Sequence, residues 1–427
     1  MTADETEAPS GTIALTGTVE RRALSSSFVE LCRIESPSGS ERAVAEHVAD
    51  ELRGLGLEVT EDDAAAAAES DCGNLLTRIA AGPRAATLPQ ADAAEPSAGP
   101  SGAEPPARRP TVLLCAHLDT VPLAAPVEPV LVDGFFENAN AGILGADNKA
   151  AVAVLLAVAR HARTAGLPVD VELLFTVGEE LALAGARAFD TAALRSDFGY
   201  VFDHATPIGE VIVGSPTHFR IDARFRGRAA HAGIRPEDGR SAVLAAARAV
   251  AAMPLGRLDD ATTANVGTIG GGTALNVVPE LCELTAEVRS YDDTRAEEVV
   301  AQIVDRCQDA ANAPDSDCDL DLQVQRTFSG YRHGGRARAL TLAEAALRSC
   351  GYEPDRVVSG GGSDANAFIA NGLEVINIAN GTERNHEPDE RVSEHALGAM
   401  LDVTLALLAC AATGDEPEAA RPPGADG

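Results

Sequence analysis

Short apolar runs alternate along this chain with longer stretches of helical periodicity, which is the pattern of a mixed α/β protein. The clearest run is TVLLCA, from Thr111 to Ala116, which is too short for a typical helix and predicts a buried strand. His117 and Asp119 follow it, and in an extended chain residues i and i+2 point to the same side. Ligand sites in open α/β sheets lie outside the carboxyl ends of the strands. On its own, this His-x-Asp is more typical of a core strand that ends in a capped turn.

Four other turns carry an acidic or histidine side chain, each next to a predicted strand or helix. Asp147 precedes a long apolar helix predicted from Lys149 to Ala165, Glu179 and Glu180 follow the predicted strand Val171 to Thr176, Asp203 ends the next strand, and His386 follows the strand Val375 to Ala379.

Burying so many carboxylates together is prohibitive without cations, because like charges repel and desolvation is costly. Two divalent ions would resolve the conflict, since a carboxylate shared by two ions about 3.5–4 Å apart is the usual arrangement for two-metal hydrolysis. Mixed histidine and carboxylate ligands suit zinc, with cobalt or manganese as alternatives. Of two adjacent glutamates, one can ligate while the other takes a proton from the hydrolytic water.

The order of elements changes between about Gly214 and Arg326, where a strand, a helix, two strands, a helix and a strand follow one another. This order predicts a ferredoxin-like module inserted into the first fold. A tract rich in Pro, Ala, Gly and Ser predicts a flexible insertion. The predicted division is a disordered leader at 1–17, an α/β domain at 18–213 and 327–412 with the flexible insertion at 82–110, the inserted module at 214–326, and a disordered tail at 413–427.

Length and composition exclude several classes of function. A chain of 427 residues is too long for one ordinary core, and a net charge of −31 argues against nucleic acid, which needs a basic face. Eight cysteines without a C-x-x-C pair signal neither a zinc knuckle nor a disulfide framework. No signal peptide is visible, and no uninterrupted apolar segment reaches membrane-spanning length. We therefore expect a cytoplasmic protein without a membrane partner.

The chain resembles the M20 metallopeptidases, and within them the peptidase T-like branch. The motifs that carry the resemblance follow in order between about residues 20 and 410: AHLDTVP, GADNK, TVGEE, VFD, GRAAHAG, NVVPE with EVR, GGGSDAN and NHEPDE. The resemblance implies a zinc-peptidase-like α/β/α catalytic domain with an inserted ferredoxin-like (βαββαβ) lid domain. It also implies hydrolysis of small peptides and a homodimer formed through the lid.

Carried over by motif, the resemblance implies a role for each residue of the metal centre. Asp119 would orient His117 as its hydrogen-bond partner, and Glu179 would be the general base. The implied ligands are Asp147 between two ions, His117 and Asp203 on one ion, and Glu180 and His386 on the other.

The resemblance also implies substrate contacts outside the metal centre. His231 would stabilise the tetrahedral oxyanion, either in its own chain or in a partner. Asn276 and Arg289 match positions that recognise substrate, and arginine is a natural bidentate clamp for a peptide carboxylate. Backbone N–H groups of the glycine-rich turn, Gly361, Gly362 and Ser363, could contact the same substrate.

Two other functions stay open. Deacylation of N-acyl amino acids would use the same activated water on the same scaffold. A metal-binding protein without catalysis is the other, although a free Glu179 argues against it. Phosphate binding by Gly270–Gly272 or Gly360–Gly362 is disfavoured, because neither stretch contains a complete phosphate-binding motif.

Overall fold

The computed structural model describes residues 16–82 and 109–413. They form two compact units: Gly214–Arg332 with Val358–Gly362 make the second, and the remaining described residues make the first. Most of the leader, insertion and tail predicted at 1–17, 82–110 and 413–427 lies outside the described residues. These assignments and the predicted domain limits stay predictions.

The main helices and strands follow the predicted order, with several short additions. Within the described residues the helices are α1 (Thr18–Cys32), α2 (Arg42–Gly54), α3 (Ala146–Ala165), α4 (Ala184–Ala188), α5 (Ala242–Ala252), α6 (Asp293–Ala311), α7 (Arg338–Ser349), α8 (Asp364–Ala370) and α9 (Glu394–Thr413). The strands are β1 (Val59–Glu61), β2 (Leu75–Ile79), β3 (Thr111–His117), β4 (Pro129–Val132), β5 (Phe135–Asn138), β6 (Asp170–Thr176), β7 (Phe198–Val201), β8 (Glu210–Ser215), β9 (Thr217–Arg226), β10 (Gly256–Asp259), β11 (Thr262–Gly271), β12 (Leu281–Ser290), β13 (Asp319–Phe328), β14 (Tyr331–Arg332), β15 (Asp355–Val358), β16 (Val375–Ile378), β17 (Thr382–Glu383) and β18 (Arg391–Ser393).

The first unit is built on a mixed sheet that runs in the order β1-β2-β6-β3-β7-β16-β8. β3 pairs in parallel with β6 and with β7, and β7 pairs in parallel with β16. All seven residues of β3 are buried, as expected of a strand that is covered on both faces. α3 is buried from Ala146 to Ala159 and packs against β3, α1 and α9. Because parallel strands end at one edge of the sheet, the residues that follow β3, β6 and β7 meet there.

The second unit has an antiparallel sheet in the order β10-β11-β12-β9-β13, with α5 and α6 packed on it. Along β9 buried and more exposed residues alternate, which is the period of a sheet with one covered face. The predicted β-α-β-β-α-β order is confirmed. β10, a short edge strand, was not predicted.

One predicted helix cap is wrong. The sequence predicts Ser38 or Ser40 as the cap of α2, but the residue at the cap position is Glu41, and the Ser38 hydroxyl donates to Asp119 Oδ2 at 2.7 Å. For α3 the sequence predicts a cap at Asp147 or Asn148. The backbone kinks at these two residues, whose φ/ψ are non-helical, so the regular helix begins at Lys149 as predicted.

The hairpin of β4 and β5 is not among the elements predicted above. Asp133 and Gly134 have positive φ, 49° and 83°. Asp-Gly between two short apolar runs is the sequence of a tight two-residue hairpin turn, so the signal was present. The hairpin joins a sheet in the order β17-β18-β5-β4.

α9 is long and apolar enough to cross a membrane by length and composition, although Asp402 interrupts its apolar sequence. Of its most apolar window, 78% is buried inside the structure. It packs against α7, α3 and α1, which is the environment of a core helix.

Glu172 in β6 supplies a test of the first unit's stability. This side chain is 1% exposed and accepts from Arg78 Nε at 2.8 Å, from the N–H groups of Arg195 and Ser196 at 2.9 Å, and from the Ser196 hydroxyl. Glu172→Ala leaves these donors without their acceptor and should lower the free energy of unfolding by about 3 kcal/mol. The urea midpoint and the melting temperature measure the loss.

The exposed Glu46 on α2 gives the matched control, and Glu46→Ala should change the free energy of unfolding by less than about 0.5 kcal/mol. Equal effects of the two substitutions would contradict the assigned role of Glu172.

Candidate metal centre

His117, the last residue of β3, is the first fixed point of the site, with a side chain only 1% exposed. Its Nδ1 lies 3.0 Å from the carbonyl oxygen of Asp119 and 3.3 Å from Oδ1 of the same residue. Its Nε2 lies 3.2 Å from Oδ1 of Asp147 and 3.8 Å from Oδ1 of Asp203. A proton on Nδ1 that is donated to Asp119 leaves the Nε2 lone pair directed at two carboxylates, as in histidine metal ligands.

Asp147 presents its two carboxylate oxygens to two different histidines. Oδ1 faces Nε2 of His117, and Oδ2 lies 3.3 Å from Nε2 of His386. The same nitrogen of His386 is 2.8 Å from Oε1 of Glu180. Asp147 therefore lies between one pair formed by His117 and Asp203 and another formed by His386 and Glu180. One carboxylate can be shared by two cations in such an arrangement.

The potential ligand atoms form two overlapping groups in which all atoms lie within 4.8 Å of one another: His117 with Glu179 and Asp203, and His117 with Asp147 and Glu180. The fold thus brings the predicted metal residues to one edge of the sheet. Glu179 lies on the side of His117 and Asp203, so proximity alone would allow it to ligate as well as to act as a base.

The carboxylates of this cluster are buried in one another's field. Burial, followed by the charge of Asp203, raises the pKa of Glu179 well above its usual value. Burial also raises the pKa of Asp203 and that of Glu180. At Asp147 burial works in the same direction but is outweighed by hydrogen bonds from the two histidines, so its pKa is lowered.

The two imidazoles balance only part of this negative charge. Hydrogen bonds to Asp147 and Glu180 raise the pKa of His386 to about 10. Burial opposes protonation of His117, but its carboxylate partners raise its pKa well above the usual value. The remaining buried charge is what bound cations relieve, and the nitrogen and oxygen donors fit zinc, cobalt or manganese.

The turn that carries the glutamate pair is fixed through its backbone. Four successive N–H groups, from residue 177 to residue 180, each donate to a side chain. The acceptors are Asn74 Oδ1 for the first at 3.1 Å, Glu41 Oε1 for the second at 3.1 Å, and Asp119 Oδ1 and Oδ2 for the last two at 2.9 and 3.1 Å. Asp119 therefore binds both His117 and the glutamate turn.

Two further side chains hold the loops of Asp147 and Asp203. Glu390 is 2% exposed and accepts from the N–H groups of Leu144, Gly145 and Asp147 at 2.7–2.8 Å. Asn377 accepts from the Asp203 N–H at 3.0 Å and donates to the Asp203 carbonyl oxygen at 2.8 Å. The glutamate turn and the loops of Asp147 and Asp203 are thus each attached to a buried side chain that is not itself a predicted ligand.

Sequence reasoning missed four of these acceptors and orienting groups: Glu41, Asn74, Asn377 and Glu390. Glu390 ends the quoted motif NHEPDE, so its motif position was an available signal. Glu41, Asn74 and Asn377 have no local pattern that marks them.

Asp364, within the glycine-rich motif, was also missed. It is 1% exposed, and its Oδ2 accepts from the Thr176 hydroxyl at 2.5 Å. Burial raises its pKa to about 7. Asp364 adds a further buried carboxyl near the cluster.

In the second unit, His231 and Asn276 lie on neighbouring segments. The N–H of Ala232 donates to the Asn276 carbonyl oxygen at 2.9 Å, and the Gly233 N–H donates to His231 Nδ1 at 3.2 Å. The side chains of both predicted residues are exposed. Their implied roles toward substrate stay predictions.

Arg289 and the glycine-rich segment also come together in this unit. Nη2 of Arg289 lies 3.1 Å from Glu287 Oε2, and Nη1 donates to the Gly360 carbonyl oxygen at 3.2 Å. The Gly361 N–H donates to Ser359 Oγ at 3.0 Å, so this donor is already engaged.

The other two predicted N–H donors also have local constraints. A Cβ on Gly362 would lie 2.5 Å from the Phe328 ring, which gives this glycine a packing role. In the first unit, the Ser363 N–H donates to Asn366 Oδ1 at 3.1 Å in the capping box of α8. Donation to substrate by Gly361 or Ser363 would require these local hydrogen bonds to exchange, and it stays a prediction.

Comparison with known proteins identifies the family. A family model described as a peptidase dimerisation domain matches residues 215–314, and one described as peptidase family M28 matches residues 101–205. The crystal structure of aminopeptidase PepT from Bacillus cereus is 30% identical, with a TM-score of 0.75 over 92% of this chain and 99% of that chain. This chain belongs to the M20 peptidase family. The predicted family, its PepT-like character and its fold class are confirmed.

Other M20 relatives agree in fold or sequence. A tripeptidase structure from Staphylococcus aureus is 29% identical, with a TM-score of 0.79 over 92% of this chain and 99% of that chain. The indole-3-acetyl-aspartic acid hydrolase of Enterobacter agglomerans is 31% identical over 296 residues, which are 64% of this chain and 67% of that protein. As an M20 peptidase, this chain is a hydrolase of peptide or amide bonds.

The charge balance of the centre predicts an effect of cations on stability. Chelation should lower the melting temperature and added zinc should restore it, because a ligand that binds only the folded chain stabilises it, by about 2.7 kcal/mol at 100 times its Kd. Differential scanning calorimetry with elemental analysis measures both changes.

Asp147→Asn should strongly reduce this zinc-dependent shift, since it removes the carboxylate between the two histidines. Glu128→Gln, at an exposed position of the same unit, should leave it intact. A melting temperature that does not change when bound metal is removed would contradict the assignment.

Proposed function

We propose that this M20 hydrolase cleaves small peptides, in the manner of an aminopeptidase or tripeptidase, with a water that a two-metal centre would activate. The observation that carries the proposal is Asp147, whose two oxygens face His117 and His386 separately. The similar PepT and tripeptidase structures, each matched over 99% of its chain, support the substrate class.

In this proposal Asp147 would hold both ions, His117 and Asp203 would hold one of them, and Glu180 and His386 would hold the other. Zinc suits these donors, with cobalt or manganese as alternatives. When bound, the ions supply Lewis acidity toward the scissile carbonyl and lower the pKa of the hydrolytic water. Asp119 orients His117 by accepting from Nδ1.

Glu179 is the proposed general base. Its backbone is fixed by Asp119, while burial raises the pKa of its carboxyl group. A base with a raised pKa can hold the proton that it takes from the hydrolytic water and then donate it to the leaving amine. Glu180, the next residue, points instead to His386, so the adjacent pair divides into a base and a ligand.

Substrate recognition is assigned to the second unit and the glycine-rich turn. His231 stabilises the oxyanion, Asn276 and Arg289 bind the peptide, and the N–H groups of Gly361, Gly362 and Ser363 are further donors. The match to a peptidase dimerisation domain supports a homodimer formed through this unit. His231 then serves either its own chain or a partner.

The eight cysteines support a cytoplasmic location. All of them are free thiols, and seven are buried. Disulfides are rare in a reducing cytosol, so this state fits that compartment.

Deacylation of N-acyl amino acids is the second candidate function. The similarity to an indole-3-acetyl-aspartic acid hydrolase favours it, because the substrate named for that enzyme carries an acyl group on an amino acid. Both reactions cleave an amide with one activated water, so the metal centre cannot separate them. A metal-binding protein without catalysis is disfavoured by membership in a hydrolase family.

A substrate panel decides between the two reactions. Purified protein loaded with zinc, cobalt or manganese is assayed on dipeptides, tripeptides and N-acyl amino acids. We expect the highest kcat/KM on peptides with a free amino terminus. Higher kcat/KM on N-acyl amino acids would favour the deacylase, and no turnover on any of them would contradict both.

Glu179→Gln tests the base. The substitution removes the proton acceptor while keeping size and shape, so kcat should fall by several orders of magnitude with two ions still bound. Steady-state kinetics and elemental analysis on the same sample measure this. Glu128→Gln is the exposed control, and loss of metal together with activity would make Glu179 a ligand.

His231→Ala tests the oxyanion role. Loss of one oxyanion donor typically lowers kcat by about 10²–10³, and the metal content should not change. Mixing this variant with Glu179→Ala then shows whether His231 acts in the active site of the other subunit of the dimer. Activity should return in mixed dimers if His231 acts on the partner's site, and should stay low if it acts on its own. An unchanged kcat in His231→Ala would remove the residue from the mechanism.

A further inference from the structure

Glu41 is a buried carboxylate for which the proposed chemistry has no use. It lies directly before α2 and is 0% exposed. Within residues 16–82 and 109–413 no arginine, lysine or histidine forms an ion pair with it. Burial raises its pKa. A buried acid without a cation partner costs stability, so its contacts are informative.

Both oxygens of Glu41 contact segments that are distant from it in sequence. Oε2 accepts from the Ser70 hydroxyl at 2.6 Å, and Oε1 accepts from the Gly178 N–H at 3.1 Å. The carboxylate makes no side-chain cap to its own helix. Glu41 thus links the segment at Ser70 to the turn immediately before the glutamate pair.

Gly178, whose N–H donates to Glu41, has a backbone conformation that few other residues could adopt at this position. Gly178 has a φ of +60°, a conformation that L side chains rarely adopt, and the ideal Cβ position is 3.3 Å from the Ala68 carbonyl oxygen. Asn74 accepts the preceding N–H and Asp119 accepts the following two. Glu41 therefore supplies the middle attachment of a turn in which every N–H is directed to a fixed acceptor.

The direction of the two glutamate side chains depends on this attachment. Glu179 reaches toward His117 and Asp203, while Glu180 reaches toward His386. If the Gly178 N–H loses its acceptor, the turn can rotate and move both carboxylates. A displacement of about 1 Å at a reacting group can lower a rate about 10²-fold.

We propose that Glu41 is a positioning residue that aims the Glu179–Glu180 pair by accepting the Gly178 N–H, a role that rests on the proposed function of that pair. The requirement is an acceptor at the right distance, and the negative charge is secondary. Length and charge can be separated by substitution.

Glu41→Gln keeps the length and loses the charge. Its amide oxygen can accept the Gly178 N–H, and its NH2 group can donate to the Ser70 hydroxyl. Glu41→Asp keeps the charge but is one methylene shorter, so it cannot hold both partners. Glu41→Leu fills the space without an acceptor. Glu46→Gln, at an exposed position of α2, is the matched control.

We expect Glu41→Gln to keep kcat within about fivefold of the wild type, and Glu41→Asp and Glu41→Leu to lower it about 10²-fold with two ions bound and KM little changed. If Glu41→Leu fails to fold, Glu41→Asp carries the comparison. A purely structural role would lower the melting temperature without changing kcat per metal-loaded molecule, which would overturn the proposal. An electrostatic role would also overturn it, since Glu41→Asp would then be active and Glu41→Gln would not.

The absorption spectrum of the cobalt-loaded protein gives a readout that does not depend on turnover. Because Glu180 is a proposed ligand, the d–d bands should shift in Glu41→Asp and remain in place in Glu41→Gln. If the wild type cleaves neither peptides nor N-acyl amino acids, the proposed function fails, while these spectra still test positioning. The same d–d bands in Glu41→Asp as in Glu41→Gln would overturn the positioning role.

Discussion

Carboxylates at the carboxyl edge of the sheet have to stay within a few ångströms of each other against their mutual repulsion. The chain holds them through peptide N–H groups rather than through the ligand side chains. Asp119 and Glu41 accept from the glutamate turn, and Glu390 accepts from the loop of Asp147. These buried acceptors therefore orient the proposed metal ligands by holding the backbone of the segments that carry them. The carboxylates that face the proposed ions stay free to bind them.

This arrangement depends on the parallel order β6-β3-β7 in the sheet. His117 ends β3, the glutamate turn follows β6 and Asp203 follows β7, so three consecutive neighbours in the sheet deliver their polar residues to one place. The sequence could predict this much, because continuous apolar runs followed by a polar residue report buried strands and their ends. The order of strands and helices in the second unit could be predicted equally well, because its helical and strand periods alternate regularly.

The buried acceptors behind the metal centre could not be predicted from the sequence in the same way. Glu41 and Gly178 are 137 positions apart, and Glu390 and Leu144 are 246 apart, so no local period connects them. A long-range bond of the same kind explains the wrong cap of α2. Ser38 has a good capping side chain, but Asp119 takes its hydroxyl. Local propensity is a weak guide where a buried acceptor from another strand competes for the donor.

Arg289, a proposed substrate residue, already has two acceptors within the second unit. Its guanidinium is shared between the Glu287 carboxylate and the Gly360 carbonyl oxygen. Hydrogen bonds from His218 and from Arg289 lower the pKa of Glu287 to about 2, so this partner stays ionised. In its proposed role, Arg289 would bind a peptide carboxylate in exchange for the neutral Gly360 carbonyl, the weaker of the two acceptors, while Glu287 keeps its contact with the guanidinium. A neutral amide would gain much less from that exchange, so the proposed role calls for a substrate with a free carboxylate.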